Sequence, residues 1–266
     1  MAARAWAGLG AVAGCLAALV AFAPAAWLGS LLSEATGERL LLADARGTVW
    51  DGSAVLLLTG GPGSRDASAL PGRLQWRLGL DGAALVLRAR QACCLNGELA
   101  VRVVPGLGRL RLELPAAPAA IGRWPASWLV GLGTPWNTLQ PSGALTVASA
   151  AGLSLEQVQG RWRFSGGAQF ELVDMASRLS TLDALGSYRL TLQGNAAGSE
   201  ATTLTLATLG GALLLSGQGQ MLGGGAGSRL RFTGEASAAP GSEAALANLL
   251  NIIGRRRGPV SVISIG

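Results

Sequence analysis

The chain contains no histidine, and its 21 basic residues are all arginine, because lysine is absent too. Without His there is no Ser-His or Cys-His nucleophile and no imidazole metal site. Without Lys the P-loop lysine, the Ser-Lys dyad and the Schiff base are lost as well. Aromatics are scarce at 5%, too few for the interfacial girdles of a porin-like barrel. Charge is sparse at 14% against 50% hydrophobic residues, and the mean hydropathy is +0.40, which excludes a disordered chain. What remains is a structural, binding or transport role, on a length of 266 residues that suits one large domain or two small ones.

The net charge of +6 and a pI near 10.8 invite a nucleic-acid reading, but the arginines are spread singly or at i, i+2 spacing. Only Arg255, Arg256 and Arg257 cluster, whereas nucleic-acid binders concentrate charge with aromatics in one region. Nucleic acid is therefore rejected as a partner, and the all-arginine set reflects a compositional bias.

From Ala5 to Ser33 no residue is charged. A run of that length reaches across a bilayer of roughly 30 Å at about 1.5 Å per residue. Arg4 precedes it and Glu34 follows, so the positive-inside rule keeps the N-terminus cytoplasmic and exports the rest. Trp6 and Trp27 fall near the two interfaces. The expectation is an uncleaved single-pass anchor over about 6–28 within residues 1–36, followed by an exported domain over 37–266. Two alternatives compete. Ala21-Phe22-Ala23 offers a small-x-small cleavage site, but Pro24 would follow the cut. Val12-Ala13-Gly14-Cys15 is similar to a lipobox, with a short apolar stretch before it and a long one after.

An exported domain lies in an oxidising compartment, where Cys93 and Cys94 are the only cysteines. Adjacent residues on a strand point to opposite faces, and bonding them closes a small strained ring. They read first as two small apolar residues at a strand start or turn, and second as a vicinal disulfide or a contact with a partner chain. Two cysteines without His do not make a metal site, and no cofactor is expected.

Past residue 37 the dominant signal has period two. Arg73, Gln75 and Arg77 interleave with Leu74, Trp76 and Leu78, and Arg109, Arg111 and Glu113 with Leu110, Leu112 and Leu114. The pattern recurs with Arg161 and Arg163 against Trp162 and Phe164, with Arg189, Thr191 and Gln193 against Tyr188, Leu190 and Leu192, and with Arg229 and Arg231 against Leu230 and Phe232. Each segment has one wet and one dry side. Glycine and proline punctuate them, at Gly60-Gly61-Pro62-Gly63, Pro71-Gly72, Pro105-Gly106, Gly166-Gly167, Gly210-Gly211 and Gly223-Gly224-Gly225. The fold expected is mainly β, with roughly ten to twelve strands in one long curved antiparallel sheet, open-barrel or sandwich-like.

Two helices are expected within it. Pro118–Leu132 carries Ile121, Trp124, Trp128 and Leu129 at helical spacing, with Pro125 as a break. Ser242–Ile253 has a capping Ser242, an acidic Glu243, and Leu246, Leu249, Leu250 and Ile253 on one face. Gly254 ends it, so Arg255–Arg257 suit its negative end or, alternatively, contact anionic lipid or an acidic partner.

No catalytic constellation emerges. The carboxylates form no short-spaced pair in an apolar setting. Gly60-Gly61-Pro62-Gly63-Ser64 lacks the lysine and βαβ context of a phosphate cradle, so it reads as a hairpin loop. The tryptophans outside the N-terminal run, Trp50, Trp76, Trp124, Trp128, Trp136 and Trp162, read mainly as core.

Five stretches, in order, carry a resemblance. They are Gly47-Thr48-Val49-Trp50-Asp51-Gly52-Ser53-Ala54; Leu70-Pro71-Gly72-Arg73 leading to Trp76; Trp136-Asn137-Thr138-Leu139-Gln140-Pro141-Ser142-Gly143; Leu185-Gly186-Ser187-Tyr188-Arg189-Leu190; and Glu243 through Leu250 to Arg255. Together they resemble protein N of the type II secretion system over essentially the whole chain. Asp183-Ala184 departs from the pattern where a proline is expected, which alters a turn. The resemblance implies a non-catalytic inner-membrane accessory component with a periplasmic β-rich domain. Its implied partners are the outer-membrane secretin and the single-span inner-membrane components, with self-association open. The family supplies no catalytic residues to carry over.

A second reading stays beside it. A long sheet with one apolar face also looks like the groove-forming AsmA-type proteins, which would imply lipid handling. Leu74, Trp76, Leu110, Leu112, Leu190, Leu192, Leu204, Leu206 and Leu230 would then line a groove rather than pack a core.

Overall fold

A computed structural model describes residues 2–158, 161–194, 201–222 and 229–266. The chain opens with α1 (Ala2–Ala21) and α2 (Ala25–Thr36). Strands β1 (Leu40–Gly47), β2 (Asp51–Thr59), β3 (Ala67–Ala69), β4 (Leu74–Asp81), β5 (Ala84–Arg90), β6 (Glu98–Gly106), β7 (Arg109–Leu114) and β8 (Ala117–Pro125) follow. A 3-10 segment (Ala126–Leu132) and α3 (Trp136–Leu139) lead to β9 (Pro141–Ser149), β10 (Leu153–Val158), β11 (Arg161–Ser177) and β12 (Gly186–Gly194). The chain ends with β13 (Ala201–Gly211), β14 (Leu213–Leu222), β15 (Arg229–Ala238), α4 (Glu243–Ile253), β16 (Arg255–Arg257) and β17 (Val260–Ile265).

The N-terminal expectation needs correcting. The uncharged run does not form one helix over about 6–28. It is divided at Phe22-Ala23-Pro24, because proline has no amide to continue the ladder and disfavours helical geometry in the residue before it. Among the described residues no helix is long and apolar enough to cross a membrane. The break docks on the body: Pro24 bridges Thr48, and the Val49 amide donates to the Ala23 carbonyl at 2.9 Å. The Trp50 indole donates to the Val20 carbonyl at 2.7 Å, satisfying one of the open carbonyls at the end of α1.

Among the described residues all 17 strands belong to one sheet, more than the ten to twelve expected, and every ladder is antiparallel. The ladders give the succession β1-β2-β4-β5-β6-β7-β10-β11-β12-β13-β14-β15-β17-β16. β1 and β16 are therefore edges, and the sheet does not close. β3 continues β4 alongside β2. On one flank β11 changes partner along its length. Its first part pairs with β10 and its second with β9, and β8 pairs with β9.

That change of partner explains Gly166-Gly167, which is not a turn but lies within β11. Gly166 has φ +88°, and a Cβ there would sit 2.2 Å from the Gly152 carbonyl oxygen. The glycine permits a close backbone approach at the junction. Pro105-Gly106 likewise ends β6 rather than forming the turn. Gly223–Gly225 lie outside the described residues.

The expected helix over Pro118–Leu132 is also corrected, since Ala117–Pro125 is strand and only Ala126–Leu132 coils, as 3-10. The apolar residues there face a strand partner, and Pro125 stops any longer helix. Around Ser242–Ile253 the expectation stands, as α4. Ser242 makes no side-chain cap hydrogen bond, however, and Arg255–Arg257 form an edge strand rather than a terminal helical turn.

The register places all nine predicted groove or core residues on one face. Trp76 stands opposite Gly52 and Ala89, Leu112 opposite Val103 and Leu155, and Leu192 opposite Ala168 and Leu204. Two helices cover the ends of this face. α2 lays Ala25 and Leu28 on Ala54, Trp76 and Leu42. α4 buries Leu246, Leu249 and Leu250 against Met175, Tyr188, Leu213 and Ala236, each leucine contributing roughly 1.5–3 kcal/mol. Ala126 joins that second cluster, while Trp128 two residues on donates to the Ser68 carbonyl in β3 at 3.0 Å. One short segment thus reaches both distant parts of the succession, so the sheet is curved.

Of the six tryptophans expected as core, Trp76 alone among those described is fully buried, at 3% exposure. Trp50, Trp124, Trp128 and Trp136 are half-buried, and the Trp162 side chain lies outside the described residues.

Candidate functional site

The two sheet faces differ in chemistry because the period is two. On the polar face, cross-strand ion pairs run between neighbours, Arg77–Asp51 at 3.2 Å, Arg90–Glu98 at 2.8 Å, Arg111–Glu156 at 3.2 Å and Arg189–Glu171 at 2.7 Å, and Arg102–Asp81 at 2.7 Å reaches from β6 past β5 to β4. These are exposed or half-exposed, so each contributes little alone, about 0–1 kcal/mol. They engage five carboxylates in cross-strand pairs.

The most organised polar cluster centres on Asp44, which has φ +49° at a bulge in β1. Arg73 Nη1 reaches its carboxylate at 2.7 Å, Arg73 Nε reaches Ser53 Oγ at 3.1 Å, and Arg46 Nη2 lies 2.8 Å from the same carboxylate. Hydrogen bonds from Arg73, then Arg46, hold the Asp44 carboxyl below its ordinary 3.8.

Among the described residues, helices cover the apolar face only at its ends. Between the α2 and α4 clusters lie Leu99, Val101, Val103, Leu110, Leu112, Leu155 and Phe164, each half-buried. Among the described residues no helix packs over them. The accessible surface is 15154 Å², against about 11,000 Å² for a compact monomer of 26.8 kDa. A half-open apolar strip and an exposed apolar α1 contribute to that area. In α1 and the residue after it, Trp6, Leu16, Val20 and Phe22 are 57–77% exposed.

Cys93 and Cys94 lie in the turn between β5 and β6 and are bonded to each other, so the reading as two unbonded small residues is corrected. Cys93 is exposed and Cys94 is 5% exposed. Next to them a shallow cleft is lined by Arg73, Gln75, Arg90, Gln91, Leu95 and Glu98. Gln91 is 4% exposed, and its Nε2 has no hydrogen-bond partner. No sequence signal singled out Gln91, because an amide at a strand end is ordinary.

Arg255, Arg256 and Arg257 sit on the far edge of the sheet, all exposed, with Arg256 Nε donating to Gly258 O at 3.0 Å. The fold does not bring them to the cysteines. Among the described residues no group of three or more His, Cys, Asp or Glu is placed to hold a metal ion.

Comparison with known proteins gives one result of weight. A family model described as type II secretion system (T2SS), protein N, matches residues 38–263, the whole sheet from just before β1 into β17. No curated protein and no solved structure matches the chain.

Proposed function

Since the chain belongs to the type II secretion system protein N family, we propose that it is a non-catalytic accessory of that machinery, acting as an extracytoplasmic scaffold held at the inner membrane. The observation that carries this reading is the extent of the match, which takes in every strand of the sheet rather than one motif. The residues outside it at the start are the apolar helices, so the division at about residue 36 separates attachment from scaffold. Attachment is supported by the exposed apolar side chains of α1 and by Trp6 and Trp27, 74% and 48% exposed, which suit an interface between headgroups and acyl chains. The proposed orientation keeps Arg4 cytoplasmic and the sheet periplasmic.

The partners proposed are the secretin and the single-span inner-membrane components, with self-association alongside. A sheet with two free edges and a polar face can present both side chains and unpaired backbone to such partners. Arg255–Arg257 are proposed to touch anionic lipid headgroups or an acidic partner, because all three are exposed on an edge.

One observation favours a second reading, in which the protein binds lipid. The strip from Leu99 to Phe164 is apolar, half-buried and, among the described residues, covered by no helix, which is the surface an acyl chain would occupy.

The deciding experiment is release of extracellular proteins from an in-frame deletion strain, with detergent sensitivity measured alongside. Exoproteins trapped in the periplasm of a sound envelope are the expected result. Normal secretion from a leaky or lipid-altered envelope overturns the scaffold reading in favour of lipid handling. A reporter active only outside the cytoplasm, fused after Gly266, is expected to be active; a stable, silent fusion overturns the orientation.

A further inference from the structure

The turn carrying the two bonded cysteines does more than join β5 to β6. It is stitched to β8, on the side of that strand away from β9. The Asn96 amide donates to the Ile121 carbonyl at 2.9 Å and the Arg123 amide to the Cys94 carbonyl at 2.8 Å. Asn96 Nδ2 donates to the Ala120 carbonyl at 2.9 Å, and Leu95 bridges Gly122. The approach is so close that a Cβ on Gly122 would stand 2.4 Å from the Cys94 carbonyl oxygen. Two of these contacts, at Ala120 and Ile121, fall within the stretch where the β8–β9 ladder is interrupted, while Gly122 and Arg123 hold β9 on one edge and the turn on the other.

β8 in turn leads into the segment that folds over the end of the sheet. Ala126 is fully buried in the α4 cluster, and Trp128 is tied to Ser68. A flap made of β8 and Ala126–Leu132 therefore closes one end of the apolar face, and the Cys93–Cys94 turn clips that flap from outside. The Cys93–Cys94 bond fixes the backbone of the turn at the residue whose carbonyl anchors Arg123, and one of its two residues, Cys93, faces solvent.

We propose that the Cys93–Cys94 disulfide is a redox-operated clip on this flap, opened by a dithiol protein or small dithiol. A thiolate of the dithiol attacks Cys93 Sγ, the Sγ–Sγ bond breaks, and Cys94 leaves as a thiolate that takes a proton from water. The second thiol of the reductant, as its thiolate, attacks the mixed disulfide and releases Cys93, which is protonated in turn. The cysteine pair has gained two electrons and the reductant ends as a disulfide. With the ring open, the turn regains backbone freedom and its hydrogen bonds to Ala120, Ile121 and Arg123 compete with water. The unpartnered Gln91 amide at the root of the turn gives the clipped state a buried polar group that opening would hydrate.

The test uses the full chain with Cys15→Ser, since Cys15 is an exposed free thiol. Amide hydrogen exchange is followed with the disulfide intact and after dithiothreitol, with maleimide labelling to count thiols. Reduction is expected to speed exchange about tenfold or more in 92–97 and 118–125, leaving β12–β14 unchanged. Two reactive thiols with unchanged exchange in both segments would overturn the clip, as would a disulfide that withstands excess dithiothreitol in the folded chain. Cys93→Ser/Cys94→Ser is expected to reproduce the reduced pattern. If that variant fails to fold, reduction of the Cys15→Ser chain still decides.

Discussion

The Tyr188 hydroxyl donates to the Leu213 carbonyl at 3.0 Å, with both residues 3% exposed. It ties the start of β12 to the start of β14 across the end of β13. The α4 leucines pack around it, so the sole tyrosine of the chain is a polar pin inside an apolar cluster. Burial pushes its phenol well above the ordinary value of 10.0.

Tyr188→Phe therefore leaves the Leu213 carbonyl unpaired and is expected to cost about 1 kcal/mol, read as a lower denaturation midpoint. The pH dependence has a definite sign. The folded state holds the phenolic proton more tightly than the unfolded chain, so this contribution is full below about pH 10 and falls as pH rises toward the folded value. Wild type should lose stability in that alkaline window more steeply than Tyr188→Phe. Tyrosinate absorbance, which has one source here, should appear only with unfolding; ionisation of the folded chain near pH 10 would contradict the pin.

Asp44 titrates in the opposite sense. Its folded value lies below 3.8, so its contribution is present above that pH and is lost as pH falls through the folded value. A carboxyl NMR titration is expected to return Asp44 toward 3.8 in Arg73→Ala, with Arg46→Ala moving it less. Equal shifts in the two variants would displace Arg73 as the main cause.

Leu249→Ala removes a side chain that is 0% exposed at the centre of the α4 cluster. The loss is expected at about 2–5 kcal/mol, measured by chemical denaturation. Leu230→Ala, at 36% exposure on the same face, should cost clearly less.

Gly166→Ala places a Cβ against the Gly152 carbonyl at a residue with φ +88°. It is expected to cost about 1–3 kcal/mol, with hydrogen exchange rising first where β10 and β9 meet β11. Gly210→Ala, with nothing within 4 Å of its Cβ, is the control and should be close to neutral.

Much of the sheet is legible in the one-dimensional pattern. Alternation such as Arg109-Leu110-Arg111-Leu112 commits each side chain to a face, since successive residues on a strand point oppositely. That is why all nine apolar residues chosen from sequence share one face. The α4 leucines are equally legible, because their spacing makes an apolar stripe only on a helix. The errors are informative. Ile121, Trp124 and Trp128 match helical spacing yet span a strand and a 3-10 segment, since short apolar runs fit either period. The run from Ala5 to Ser33 hides its break because Pro24 interrupts geometry without interrupting hydropathy.

Partner choice is what a period of two cannot encode. Hairpins such as β12-β13 follow from short loops, but the β7–β10 and β9–β11 ladders join strands distant in sequence, and alternation is identical whichever neighbour a strand takes. The exchange of β10 for β9 along β11, the flap over the end of the sheet and the clip on Gly122 all depend on backbone meeting backbone. Local composition therefore settles which residues are apolar-facing and the lack of histidine and lysine chemistry. Only the folded chain decides that, among the described residues, no helix covers the middle of that face, because covering it depends on where α2, α4 and the flap come to rest.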